Sequence, residues 1–360
     1  NKHWHKTLVL LLGPVCCFKW YHRFFWEAVM SENPPSPLTL AVEAVRTASA
    51  EKLSRYLRQA PEIVQLDTPE ADTLLGLACR LATGNIAIPA VAGTQSQHQV
   101  VDIILEAGAD PDKGTPEGWS PLHTAAMSGH GGLAKRLLAA GAATEGHLYQ
   151  CQGGSPLALA LFYAKTEVAV FLAQPAVPDN LRHAAALGEN LDRFFDNSQL
   201  APKARQGLDF YRPLKVFPSW QRNFSRQEIL DEALSWASRN DQPDSIRYLI
   251  ERGADVNSNA YRGTSLLWSI YSDSVRSARL LLDLGADPNL KHDFGGKGHG
   301  VNATALHLAA QFGSLKCIRL LLNRGADPDI VDAAHGGTAL GWAEFAGAKE
   351  SVEVLRNWNG

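Results

Sequence analysis

Gly-Ala-Asp recurs along this chain at Gly108, Gly253, Gly285 and Gly325, and a degenerate copy stands at Gly141-Ala142-Ala143. The interval is 33 residues from Gly108 to Gly141 and 32 from Gly253 to Gly285. Three apolar positions end three residues ahead of the glycine, as in Ile103-Ile104-Leu105, Leu280-Leu281-Leu282 and Leu320-Leu321-Leu322. A second marker is phased before the first: Ser120-Pro121-Leu122-His123, Ser155-Pro156-Leu157, Thr264-Ser265-Leu266, Thr304-Ala305-Leu306-His307 and Thr338-Ala339-Leu340. A unit this short cannot bury its own apolar face. Stability must come from copies stacked in a line, which removes the need for one large core in a chain of 360 residues.

Each unit reads as two helices and a turn. Ser120 or Thr304 is placed to cap a helix through its hydroxyl, and Pro121 sits at the first helical position, where no donor is missed. Ala309 and Ala310 keep that helix thin, and Gly313 ends it. Leu315, Ile318 and Leu322, at spacings of three and four, predict a second helix with one apolar stripe. Gly325 closes it, and Ala-Asp-Pro turns the chain outward into a finger.

These markers resemble the ankyrin family, whose Thr-Pro-Leu-His-x-Ala pattern and period of about 33 they follow. The resemblance covers most of residues 31–358 and is clearest over 118–147 and 263–358. The closing Gly336-Gly337-Thr338-Ala339-Leu340-Gly341-Trp342-Ala343-Glu344 is similar to the last unit of many bacterial ankyrin proteins. The resemblance implies an all-α ankyrin-repeat solenoid of stacked helix-turn-helix units with β-hairpin fingers. It also implies a non-catalytic scaffold that recognises a protein through a concave groove and finger tips.

Phasing gives about nine units, starting near Ser36, Asp72, Gly118, Gly154, Asn180, Glu228, Arg262, Asn302 and Gly336, with the fifth short and degenerate. Insertions at Asn85–Ser96, Ala201–Arg226 and Leu290–Gly300 interrupt them. The expected organisation is an extension over 1–30, an irregular stack over 31–198, a basic and aromatic insertion over 199–226, and a regular stack over 227–358. Met30 is a candidate start. The segment before it has basic and apolar stretches in the order of a signal peptide, but Gly13-Pro14 interrupts the short apolar run and no small-x-small cleavage site follows.

The formal charge of -3 gives no overall attraction to nucleic acid or anionic membrane. No stretch reaches the roughly 18 apolar residues of a membrane span. Cys16, Cys17, Cys79, Cys151 and Cys317 form neither a Cys-x-x-Cys pair nor a disulfide framework, so a reducing, cytoplasmic home is expected. No cofactor is expected. Gly295-Gly296-Lys297-Gly298-His299-Gly300 lacks the Lys-Ser/Thr and the preceding strand of a phosphate loop. No catalytic motif of the nucleophile-elbow, zinc-peptidase or paired-carboxylate kind occurs.

In the family, His123 and His307 hold the histidine position that bonds backbone between units. Trp236, Trp268 and Trp342, with Leu308 in series, occupy one framework position of the first helix. The two positions before the glycine that ends that helix face the groove in ankyrin proteins. Here they are Met127 and Ser128, Phe162 and Tyr163, Arg239 and Asn240, Tyr271 and Ser272, Gln311 and Phe312, and Phe345 and Ala346. The expected partner-binding set is Arg239, Asn240, Tyr261, Arg262, Tyr271, Ser272, Phe294, His299, Gln311, Phe312 and Phe345, serving a monomer that binds another protein. An alternative uses the insertion 203–226, where Lys203, Arg205, Arg212, Lys215, Arg222 and Arg226 alternate with Phe210, Tyr211, Phe217, Trp220 and Phe224. That composition suits single-stranded nucleic acid, but with no recognised nucleic-acid motif a segment packed on the solenoid with its charges in water is the favoured reading.

Overall fold

A computed structural model describes residues 34–68, 73–83, 95–115, 118–145, 154–173, 180–197, 199–205, 225–293 and 300–358. The fold is all-α. Helices follow one another in pairs: α1 (Pro37–Arg46) and α2 (Ala50–Gln59), α3 (Leu74–Ala82) and α4 (Gln95–Glu106), α5 (Pro121–Ser128) and α6 (Gly131–Ala139), α7 (Pro156–Phe162) and α8 (Thr166–Leu172). After the single helix α9 (Leu181–Leu187) come α10 (Arg226–Arg239) and α11 (Pro243–Glu251), α12 (Ser265–Tyr271) and α13 (Val275–Asp283), α14 (Ala305–Phe312) and α15 (Leu315–Leu322), and α16 (Ala339–Ala346) and α17 (Lys349–Arg356). Among the described residues the strands are two short antiparallel hairpins, β1 (Phe195–Asp196) with β2 (Gln199–Leu200), and β3 (His292–Asp293) with β4 (Val301–Ala303). No described helix is long and apolar enough to cross a membrane.

The chain divides into two compact units at Ala160 and Leu161. The second takes in α8 and α9, which the sequence reading grouped with the N-terminal stack. The cause is packing: α9 lies against α10, so helices on the two sides of the insertion share one core.

In the N-terminal unit α1, α3 and α5 form a row of first helices, and α2 packs on α4. Hydroxyl caps start each first helix: Ser36 accepts from the Thr39 N–H at 3.2 Å, Thr73 from Gly76 at 2.9 Å and Ser120 from His123 at 3.4 Å. His123 then ties one unit to the next. The Ser120 backbone N–H donates to its Nδ1 at 3.1 Å, which places the ring proton on Nε2, and Nε2 donates to the Gly154 carbonyl at 2.9 Å.

From α10 onward the C-terminal unit repeats the scheme. First helices α9, α10, α12, α14 and α16 pack in succession, and α11, α13, α15 and α17 form the second row. His307 accepts from the Thr304 N–H and donates to the Gly337 carbonyl at 3.1 Å. Burial lowers its pKa, against an opposing pull from that Gly337 bond and from Asp332, and so favours the neutral ring that this network needs. In α15 the apolar stripe is buried at Cys317, Ile318, Leu320, Leu321 and Leu322. The Gly-Ala-Asp glycines turn the chain in the left-handed region, with φ 94° at Gly285 and 84° at Gly325.

Between fingers, asparagines act as rungs. Asn257 Oδ1 accepts from the Asp287 N–H at 2.9 Å, and Asn289 repeats the pattern with Asp327 at 2.8 Å while its Nδ2 donates to the Gly325 carbonyl at 2.9 Å. The lengthened finger expected over Leu290–Gly300 contains β3, which pairs with β4 just beyond it, His292 opposite Ala303. Before the last unit Asp332 plays an equivalent part. Its two oxygens accept the N–H groups of Ala334, His335 and Gly337 and the Trp342 Nε1–H, all within 3.0 Å. Burial alone would raise its pKa, but these bonds outweigh it and hold the carboxylate below its ordinary range.

The fifth unit departs from the rest. After α9, which ends at a left-handed Gly188, no second helix follows among the described residues; a 3-10 turn over Asp192–Phe194 and the β1–β2 hairpin take its place. Phe194 is fully buried. The turn and hairpin dock on α11: Phe195 meets the Tyr248 ring edge-on at 5.5 Å, the Tyr248 hydroxyl donates to Asp192 at 2.7 Å, and the Arg252 guanidinium lies 5.2 Å from the Phe195 ring centroid.

Candidate partner-binding face

The groove positions named from the sequence separate into two groups. Phe312 and Phe345, at the C-terminal ends of α14 and α16, are 50% and 53% exposed, which is unusual for phenylalanine and characteristic of contact surface. Tyr271 at the end of α12 is half-buried, edge-on to Phe312 of the next first helix at 5.8 Å and to Trp268 of its own helix at 5.4 Å. Ser272 and Gln311 are half-buried beside them. Together these residues line the ends of three consecutive first helices.

Arg239, Asn240 and Tyr261 are not exposed on that surface. They were expected to face a partner, and they are 1%, 3% and 1% exposed. Met127 and Phe162, placed in the same row from the sequence, are buried too. For the arginine and asparagine the reason lies at the C-terminus of α7, whose last carbonyls lack partners within the helix. Arg239 Nη1 donates to the Phe162 carbonyl at 3.0 Å, and Asn240 Nδ2 donates to that of Leu161 at 2.8 Å. A cation there also meets the negative end of the helix dipole.

Three rings surround the same guanidinium. Its carbon lies 3.7 Å from the centroid of Trp268, 4.0 Å from Phe162 and 5.0 Å from Tyr261, contacts of the cation–π kind worth roughly 0.5–2 kcal/mol each. Burial nevertheless pulls the Arg239 pKa down to about 9, against an opposing influence of Tyr261, Tyr271 and Tyr163.

Tyr261 and Arg262 carry backbone that non-glycine residues rarely adopt, with φ 65° and 61°. Side-chain contacts hold both in place: the Tyr261 hydroxyl accepts from Trp236 Nε1 at 2.7 Å, and Arg262 pairs with Asp293 through Nε at 3.0 Å and Nη2 at 2.9 Å. Arg262 is therefore committed to fixing the finger. Phe294, His299 and the glycine-rich run 295–299 lie outside the described residues, as do residues 206–224 of the insertion. From its described end, Arg226 donates to the Arg252 carbonyl at 2.5 Å.

The framework tryptophans pack as expected, Trp236, Trp268 and Trp342 being at most 8% exposed. Cys79 and Cys317 are buried, and burial raises both thiols, Cys317 to about 11. Sequence reading missed the Arg182–Glu232 ion pair between α9 and α10, in which both side chains are 1% exposed. A carboxylate and a guanidinium at apolar-face positions in facing helices were its only signal. Among the described residues no cluster of three or more His, Cys, Asp or Glu is arranged to hold a metal ion.

The family description "Ankyrin repeats (3 copies)" matches residues 90–182 and 217–292, and "Ankyrin repeat" matches 302–333. The chain is also similar to ankyrin repeat and SOCS box protein 16 of Mus musculus, 28% identical over 209 residues, which is 54% of this chain and 41% of that protein. The paired helices, the backbone-bridging histidines and matches spanning more than half of the sequence place this chain in the ankyrin-repeat family.

Proposed function

We propose that this chain is a non-catalytic recognition scaffold that binds a partner protein along the C-terminal ends of α12, α14 and α16. Ankyrin repeats generally mediate protein–protein interaction, and the pair of half-exposed phenylalanines Phe312 and Phe345, continued by Tyr271, is the observation that carries the reading here. Aromatic side chains supply much of the energy of protein interfaces because they bury large area at little rotamer entropy. An interface of ordinary size, roughly 1,600 Å² in total, spans four or five such units.

Affinity capture by the full chain tests this. Tyr271→Ala combined with Phe312→Ala is expected to lose the captured partner while its circular-dichroism spectrum and melting temperature stay within a few degrees of the parent. Undiminished capture by the folded double variant rejects the face.

A further inference from the structure

Arg239 is a buried cation for which the described residues supply no carboxylate; the groups that favour its charge are the tyrosines 261, 271 and 163. Taking a guanidinium out of water is costly unless its donors and charge are matched, and here the match is incomplete. Nη1 uses the Phe162 carbonyl, but Nη2 is buried with no acceptor among the described residues. The neighbouring Asn240 repeats the deficit with opposite polarity. Its Nδ2 donates to the Leu161 and Trp236 carbonyls, which fixes the amide orientation and leaves Oδ1 with no donor among the described residues. Adjacent residues thus hold one unused donor on a cation and one unused acceptor.

Around this pair Phe162, Tyr261 and Trp268 are buried, whereas Tyr163 and Tyr271 are only half-buried. Tyr271 also touches Phe312, so the cluster is continuous with the exposed aromatic row. We propose that the Arg239 cluster is an anchoring site for an aspartate or glutamate of the partner protein, carried next to an apolar residue that lies on Tyr271 and Phe312. The proposal rests on the reading of the α12, α14 and α16 ends as the partner face. In the complex Arg239 Nη2 donates to the carboxylate and Asn240 Oδ1 accepts a backbone N–H of the same segment. Tyr163 swings aside to admit it, and Tyr271 stays in place beneath the apolar neighbour. A charge-assisted hydrogen bond made in so dry a place discriminates strongly against an uncharged amide.

Random peptides displayed on phage and selected on the full chain test the proposal. Binders are expected to carry Asp or Glu beside an aromatic or aliphatic residue, and changing that acid to Asn or Gln in the synthetic peptide should weaken binding to the unaltered protein by about tenfold or more. That comparison involves no change to the protein. With Arg239→Lys, checked for folding by its melt, the acid-to-amide ratio should shrink to about one to three, because the ammonium cannot keep the Phe162 bond and reach the ligand together. Binders that depend on Tyr271 and Phe312 yet tolerate acid-to-amide replacement overturn the anchor and leave the face standing. A selection that yields no binder sensitive to Tyr271→Ala with Phe312→Ala overturns the anchor and the face alike.

Discussion

The stretch from Asn257 to Arg356 and the stretch from Leu161 to Asn240 use the same kind of first helix but are held by different means. In the former each unit repeats its neighbour's bonds: the asparagine rungs Asn257 and Asn289 recur at one position of successive fingers, and His307 and Asp332 serve the last two units. In the latter no second helix of the fifth unit follows among the described residues, and the join is made by contacts of other kinds: the buried Arg182–Glu232 pair, the Arg239 and Asn240 bonds to the end of α7, and the hairpin docked on Tyr248. Repetition lets a stack tolerate the loss of one modest bond. A break in repetition is bridged by buried charge, whose loss is far more damaging.

The strongest way to test this contrast is at the irregular join. Glu232→Gln leaves Arg182 buried opposite a neutral group, and chemical denaturation should report a loss of about 3–5 kcal/mol. Replacing both members with apolar residues, Arg182→Met with Glu232→Leu, should recover most of it; a loss below about 1 kcal/mol for Glu232→Gln removes the basis of the comparison.

In the regular stretch the largest single effect should come from pH. Burial lowers the His292 pKa to about 4, Asp293 opposing, and its Nδ1 has no partner among the described residues. The folded state therefore resists protonation that the unfolded chain accepts near pH 6.5. Stability is full above that value and falls as pH drops toward 4, by at most about 3 kcal/mol from this group. Melting curves of the parent and of His292→Gln, compared between pH 7 and 4, should converge as the pH is lowered. Parallel curves reject the assignment.

The smallest effect is expected on a single rung. Asn289→Ala removes bonds to Asp327 and Gly325 at an exposed finger, and a loss of about 1 kcal/mol is expected because water replaces much of what is lost. Hydrogen exchange should quicken at the Asp327 amide and remain unchanged at α10. Exchange that spreads to α10 would show that the two stretches do not differ in how they distribute stability.

How far these features were legible follows from their range. His123 and His307 stand at the same place in matching segments, so their bonding to a unit some thirty residues on could be read from periodicity and family likeness. Phe312, Phe345 and Tyr271 were also located correctly as a row at the ends of first helices. Arg239 and Asn240 occupied equivalent positions in that row, yet they are buried. Their partners are carbonyls 77 and 79 residues away, which no local pattern discloses.

From the sequence alone came the period, the paired helices with their caps and left-handed glycines, the weakened fifth unit and the all-α class, because each is dictated by backbone conformation and by apolar faces within one unit or between adjoining ones. The tertiary structure decided where the chain divides, which of the row's side chains meet solvent and which charges are buried in pairs. Those outcomes depend on how the repeat is interrupted after α9, and that is settled by packing between segments far apart in the chain.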